Sequence, residues 1–309
     1  MEKRKPLKTI LAATDFSPGA EGAIDWAAHL ARAHGARLLL VHAFLPPVPT
    51  AVAPEFVALE PAASEEDRVR ARRELDGRVQ ALRGRGLDVE AVVVTGMPGD
   101  VVLEVVENRQ VDLVVAGTRG LSGLKRIFLG SKAAELIRRC PCPVLTVPPE
   151  QAEAHRPVQT ILVPTDESDH AERAIVEAAR LLAPSGAGAK IHLLHVYRLH
   201  PEVVYPWTEP HLAARASERT AEALTRLEAF AEPLRRSGTE VEVHVYDGFP
   251  PDVIDDTARR LGVDLIAMGT HGRSGLPRLV LGSVAERVLP GAPCPVLSVH
   301  ADEGRKTGS

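Results

Sequence analysis

Short apolar runs alternate along this chain with longer stretches in which apolar residues recur at helical spacing. Ile10-Leu11-Ala12-Ala13 is one such run and reads as a strand buried on both faces. Ala20, Ile24, Ala27 and Leu30 follow at helical spacing, with Ser17 placed to cap, Pro18 at the first helical position and Gly35 to end the helix. A second strand is expected over residues 37–44 and a second helix within 64–83. Val89, Ala91 and Val93 then alternate with Asp88 and Glu90, as in a strand with one wetter face at a sheet edge. A third helix is expected to begin near Asp100. After it come a fully apolar fourth strand, a glycine loop, a fourth helix and a last strand at Val144.

The same succession then runs a second time. Thr9-Ile-Leu-Ala-Ala-Thr-Asp15 returns as Thr160-Ile-Leu-Val-Pro-Thr-Asp166, and Val111-Asp-Leu-Val-Val-Ala-Gly117 as Val263-Asp-Leu-Ile-Ala-Met-Gly269. Leu129-Gly130-Ser131 returns as Leu281-Gly282-Ser283, and Pro141-Cys-Pro-Val-Leu145 as Pro293-Cys-Pro-Val-Leu297. In the second copy Ser168 is placed to cap a helix striped by Ala171, Ile175, Ala178 and Leu182. The remaining strands there fall at 190–197, around Val241 to Val245 and at Val296, with helices within 211–236 and from near Asp252. The expected domains are residues 1–149 and 157–301, joined by a proline-rich linker near 148–157, with 301–309 as a frayed tail.

Strands and helices in strict alternation demand parallel sheets with right-handed crossovers. The expected class is α/β: two tandem Rossmann-like domains, each a five-stranded parallel sheet in the order 3-2-1-4-5 with helices on both faces. The first and fourth strands of each copy then flank the switch point beyond whose carboxyl ends ligands bind.

The 309 residues suit two domains of ordinary size, and 45% apolar with 25% charged residues is a soluble balance. A net charge of -4 gives no global attraction to nucleic acid or anionic membrane. No run is long and apolar enough for a membrane span and no secretory segment opens the chain, so a cytoplasmic location is expected. Cys140, Cys142 and Cys294 are too few and too oddly spaced for a disulfide framework or a redox pair, and packing is the better reading. His42 and His195 match between copies, each alone, and read as core or rim histidines. The proline-rich stretch 46–61 reads as a surface loop.

Two features meet at the expected crevice. The first strand ends in Asp15 or Asp166. The fourth ends in Gly117-x-x-Gly120 followed by nine residues and Gly130-Ser131, and in the second copy by Gly269-x-x-Gly272, nine residues and Gly282-Ser283. Glycines allow close backbone approach and positive φ, and a serine capping the next helix would mark its amino end, where free amides and the helix dipole favour phosphate. Arg119, Lys125 and Arg126, or Arg273 and Arg278, could add charge. The alternative is that the glycines only turn the chain and the two aspartates only shape a helix entry. A Walker A loop and a GxGxxG after the first strand are both missing.

These motifs, together with the Gly96-x-Pro98 and Gly248-x-Pro250 turns, resemble the universal stress protein family over nearly the whole chain, twice. The resemblance implies the adenine nucleotide alpha hydrolase-like form of the fold and, because the glycine loops are intact, the ATP-binding branch of the family. By position it implies that Asp15 and Asp166 lie against ribose and adenine, and that the main chain of Ala43 and Val196 reads the adenine edge. Gly117, Thr118, Arg119, Gly120, Gly130, Ser131 and Lys132 in one copy, and Gly269, Thr270, His271, Gly272, Gly282, Ser283 and Val284 in the other, would hold ribose and phosphates, with Mg²⁺ or Mn²⁺ on the phosphates. No catalytic residue and no protein metal ligand is assigned. Ala13 and Arg119 stand where the second copy has Pro164 and His271, which brings the second copy closer to the family pattern. The implied function is a stress-response regulator or sensor that binds ATP or a related adenine nucleotide with slow or no turnover. The alternatives are a slow ATP hydrolase or nucleotidyl-transfer enzyme, or a non-binding adaptor. An intrachain pseudo-dimer of the two domains, a homodimer of the chain and an unidentified protein partner are all compatible with the resemblance.

Overall fold

A computed structural model describes residues 6–44, 65–118, 129–149, 157–185, 188–197, 209–271 and 281–300, with backbone alone over 209–217. The stretch 46–61 and the tail 301–309 lie outside the described residues. The chain divides into two compact units, the boundary falling between His155 and Arg156.

The first unit runs β1 (Thr9–Ala13), α1 (Pro18–His34), β2 (Arg37–Phe44), α2 (Glu65–Arg83), β3 (Val89–Thr95), α3 (Pro98–Asn108), β4 (Leu113–Gly117), α4 (Ser131–Arg139) and β5 (Val144–Val147). Its strands lie in the order β3-β2-β1-β4-β5, every pair parallel. The second unit repeats this as β6 (Thr160–Pro164), α5 (Asp169–Leu182), β7 (Lys190–Tyr197), α6 (Glu209–Arg236), β8 (Glu240–Asp247), α7 (Pro250–Leu261), β9 (Leu265–Gly269), α8 (Ser283–Gly291) and β10 (Val296–Val299). Its order, β8-β7-β6-β9-β10, is again 3-2-1-4-5 and again parallel. Right-handed crossovers put α1 and α2 on one face of the first sheet and α3 and α4 on the other, where those two pack together.

The central strands carry the core. Ile10, Leu11 and Ala12 of β1 and Ile161, Leu162 and Val163 of β6 are fully buried, as continuous apolar strands covered on both sides must be. Burial of each such Ile or Leu contributes about 1.5–3 kcal/mol. The edge strands differ. In β3 only Val89 is fully buried, and in β8 only Val241, so their outer halves are wetter on both faces than strict alternation predicts.

Local signals fix the helix ends. The Ser17 hydroxyl accepts from the Ala20 amide and the Ser168 hydroxyl from the Ala171 amide. Gly35 closes α1 at φ 66, its amide reaching the Ala31 and Arg32 carbonyls. The third helix of each copy starts at Pro98 and Pro250, two residues before the expected aspartates, because proline at the first helical position has its φ already set. The repeated Val-Asp-Leu has a structural use: Asp112 Oδ2 accepts from the Lys8 and Thr9 amides at 2.8 and 3.1 Å, and Asp264 Oδ2 from those of Gln159 and Thr160 at 2.9 and 2.8 Å. Each aspartate ties the start of the first strand at the end of the sheet away from the crevice.

The cysteines pack at the strand entrances, as expected. Cys140 and Cys142 are buried with their sulfurs 3.5 Å apart, and burial pushes the Cys294 thiol up to about 12.

Candidate nucleotide crevice

The crevice is built from a turn that both copies make alike. Beyond β1, the Thr14 amide donates to the Val41 carbonyl at 2.9 Å, the Phe16 amide to the Thr14 hydroxyl at 3.0 Å, and the Ser17 amide to Asp15 Oδ1 at 3.0 Å. In the second copy the Thr165 amide donates to Leu194, the Glu167 amide to the Thr165 hydroxyl, and the Ser168 amide and hydroxyl to Asp166 Oδ1. Two overlapping side-chain-to-backbone turns hold the residue between them left-handed, Phe16 at φ 63 and Glu167 at φ 64. Asp15 and Asp166 therefore shape the helix entry, one of the two roles that their position suggests.

His42 and His195 support this turn from the neighbouring strand. Their Nδ1 atoms lie 2.8 and 3.0 Å from the Thr14 and Thr165 carbonyls, so Nδ1 carries the proton and donates. Burial lowers the His42 pKa, against the opposing pull of the Thr14 carbonyl, Asp15 and Glu74. The match of both histidines across the repeat was the sequence signal for this shared job.

Position 16 or 167 makes the two rims chemically unlike. Phe16 packs against His42 with ring centres 4.5 Å apart, and the Arg78 guanidinium lies 5.0 Å over its ring. Glu167 instead accepts from Arg226 at 2.8 Å. The sequence comparison did not single out this difference.

Ala43 and Val196 lie two residues beyond Val41 and Leu194, whose carbonyls bind the last amides before the turn. Alternation along a parallel strand aims the main chain of Ala43 and Val196 to the same side, where β1 and β6 have already turned away.

On the other side, β4 and β9 end in Gly117 and Gly269. A Cβ on Gly117 would sit 2.7 Å from the Gly19 carbonyl oxygen, and one on Gly269 would sit 2.7 Å from His170 Cβ. Their first use is thus to admit the first turn of α1 or α5. The Thr118 amide then donates to Val147 and the Thr270 amide to Val299, each at 3.0 Å, and the Gly130 and Gly282 amides return to the Thr118 and Thr270 carbonyls at 2.8 Å. Those bonds bring the start of α4 and α8 beside β4 and β9.

Two expectations need correction here. Ser131 and Ser283 do not cap: Gly130 and Gly282 occupy the cap position, and among the described residues no side-chain cap is made at either helix. Nor do the described loop glycines take positive φ. Gly130 and Gly282 have φ of -59 and -64, and Gly117 and Gly269 are not left-handed. Gly282 is needed for space instead, since a Cβ there would lie 2.9 Å from the Thr270 carbonyl oxygen. The result suits an anion, because the first-turn amides of Ser131 and Lys132, and of Ser283 and Val284, begin helices whose cap residue is glycine and offers no side chain.

Lys132 pairs with Glu135 at 3.8 Å and is half exposed. His271 turns inward beside Thr270, 3.0 Å from its hydroxyl, with the His170 and His300 rings 5.2 and 5.9 Å away. Arg119, Gly120, Lys125, Arg126, Gly272, Arg273 and Arg278 lie outside the described residues.

The profile of the universal stress protein family matches residues 6–148 and, again, residues 157–300. The chain belongs to that family. A universal stress protein of Mycolicibacterium smegmatis is 28% identical over 298 residues, covering 94% of this chain and 96% of its own. A Thermus aquaticus universal stress protein is 38% identical over 141 residues, 45% of this chain and 98% of that one. Among solved structures, a universal stress protein from Archaeoglobus fulgidus superposes with a TM-score of 0.68 at 20% identity, over 96% of this chain and 97% of its own, which supports the fold.

Proposed function

We propose that this tandem universal stress protein binds ATP or a related adenine nucleotide at one or both crevices and acts as a regulator or sensor with slow or no turnover. The observation that carries the reading is that both units bring the end of β1 or β6, the end of β4 or β9, and a helix start with glycine at its cap position together at the sheet switch point. In each, the first-turn amides beside Gly130 or Gly282 would take the phosphates, and the open main chain of Ala43 or Val196 the adenine edge. The donors at the helix start are amides, so Mg²⁺ or Mn²⁺ would travel on the phosphates and neutralise their charge. The imidazoles nearest the turn donate Nδ1–H to the Thr14 and Thr165 carbonyls, so the role seen for them is to hold the turn.

The test is calorimetric titration of nucleotide-stripped protein with Mg-ATP. One or two sites per chain are expected, with binding at least tenfold weaker in the crevice altered by Gly130→Val or Gly282→Val while circular dichroism stays unchanged. Absence of binding heat at several temperatures would overturn the proposal.

A further inference from the structure

The outer edge of the second sheet carries a group of side chains that the crevice does not use. His192 of β7 pairs in register with Glu242 of β8, and His244 follows Glu242 by two residues on the same face. His192 Nδ1 lies 3.0 Å from His244 Nε2 and 3.3 Å from Glu242 Oε2, and His244 Nε2 lies 3.9 Å from that same oxygen. These three ligand atoms all fall within 4.8 Å of one another. Tetrahedral zinc with bonds of about 2.0–2.1 Å separates its ligand atoms by roughly 3.3–3.4 Å. The observed triangle brackets that value.

We propose that His192, Glu242 and His244 form a binding site for a borderline divalent cation, with zinc the expected occupant, apart from the nucleotide crevice. Two imidazoles and one carboxylate suit zinc, copper or nickel rather than magnesium or calcium, which prefer all-oxygen shells. Three protein ligands leave a fourth position for water.

Three further observations support the assignment. The first is proton counting. Two neutral imidazoles facing nitrogen to nitrogen share one proton, whereas three converging lone pairs are all satisfied by one cation. The second is orientation. Lys190 Nζ donates to Glu242 Oε1 at 2.6 Å and reaches Glu240 at 2.8 Å, which leaves Oε2 turned toward the two rings. A partner that fixes a ligand in this way is characteristic of metal sites. The third is burial: the His192 and His244 side chains are 6% and 16% exposed, so little water competes for the nitrogens that converge with Glu242 Oε2. Two cations stand nearby, Lys190, which pairs with Glu242, and Arg260. Arg260 itself is engaged with Tyr246, donating to its hydroxyl at 2.7 Å.

The other half of the chain supplies an internal control. Its register pairs Leu39 with Glu90 and Val41 with Val92, where the second copy pairs His192 with Glu242 and Leu194 with His244. The glutamate and its basic partner persist, as Arg37 with Glu90, but both histidines are replaced by apolar residues. His192 also lies three residues before His195, so strand alternation puts the two imidazoles on opposite faces of the sheet.

The experiment uses the full chain, stripped with a chelator and titrated first with Co²⁺, followed by its d–d absorption, and then with Zn²⁺ to displace it. Two variants are compared with the parent. His192→Leu/His244→Val installs the residues that the first half carries at these positions, and Glu242→Gln alters only a half-exposed side chain. The parent should bind one more equivalent than the double variant, with a tetrahedral cobalt spectrum that the double variant lacks, and Glu242→Gln should weaken that equivalent at least tenfold. No binding by the parent, or the same stoichiometry, affinity and spectrum in parent and Glu242→Gln, would overturn the proposal even if the double variant fails to fold.

Discussion

Replacing Gly117 by alanine tests whether the end of β4 is glycine for its conformation or for its surroundings. The added Cβ would lie 2.7 Å from the Gly19 carbonyl oxygen and 2.9 Å from its carbonyl carbon. Both are backbone atoms in the first turn of α1, where the helix is held by the Ser17 cap and by Ala20, Ala23 and Ala27 against the sheet. No side chain can rotate away, so helix and strand must part by several tenths of an ångström. Overpacking costs about 1–3 kcal/mol, and an obstacle of backbone alone places this substitution near the top of that range, at about 2–3 kcal/mol. Gly35→Ala is the contrasting change: it meets nothing within 4 Å but sits at φ 66, and should cost about 1 kcal/mol through conformation alone. The chain has two tryptophans, and Trp26 is buried in α1. In a Trp207→Phe background, urea unfolding followed by Trp26 fluorescence therefore reports the first unit alone. A Gly117→Ala cost below about 0.5 kcal/mol would refute the reasoning, since it would show that α1 yields freely and that the glycine is not there for space.

Other outcomes follow from the same geometry. Ser17→Ala and Ser168→Ala should each lower the stability of their own unit by about 1 kcal/mol in urea unfolding, through loss of one cap. Asp255 has a buried carboxylate oxygen without a hydrogen-bond partner among the described residues, and desolvation raises its pKa to about 6 despite Arg259, with Asp252 and Asp256 adding repulsion. Because the folded-state value lies above the unfolded one, its stabilising contribution is present at low pH and is lost as pH rises from about 4 to about 6. Asp255→Asn should therefore stabilise the second unit at pH 7 by on the order of 1–2 kcal/mol, a gain that shrinks toward pH 4 in parallel denaturation curves. With Cys294 buried and its thiol pushed up to about 12, alkylation at pH 8 should be slow in the folded protein and rapid in urea, as read by mass spectrometry of the peptide that contains it.

The features legible in the sequence were those carried by neighbours in the chain. Apolar runs gave the central strands, Ser17 and Ser168 announced their helices, and the repeat fixed the topology twice. Features that depend on distant partners were harder to read. Gly117 and Gly269 were recognised, but the reason for them lies in Gly19 and His170, far along the chain, and it is space rather than φ. Ser131 and Ser283 read as caps because serine caps well, yet glycine also occupies that position, and nothing local distinguishes a cap from the first helical residue. The turn role of Asp15 could be named beside ligand contact, but only the Ser17 amide at its carboxylate shows that the turn role is filled. His192 and His244 stand in different strands, and only the register of β7 against β8 brings them together.

A symmetric homodimer must repeat every substitution in both of its subunits. Here the two copies share one chain, so each change is made once. The turn that holds Phe16 in one crevice holds Glu167 in the other at nearly the same φ, with an arginine against each. Each half can therefore differ at its rim while Thr14-Asp15 and Thr165-Asp166, His42 and His195 form the same frame in both. An arginine meets an aromatic face in one half, where Arg78 also pairs with Glu21 and Glu74, and a carboxylate in the other. A single backbone turn thus presents two different surfaces to whatever enters the crevice.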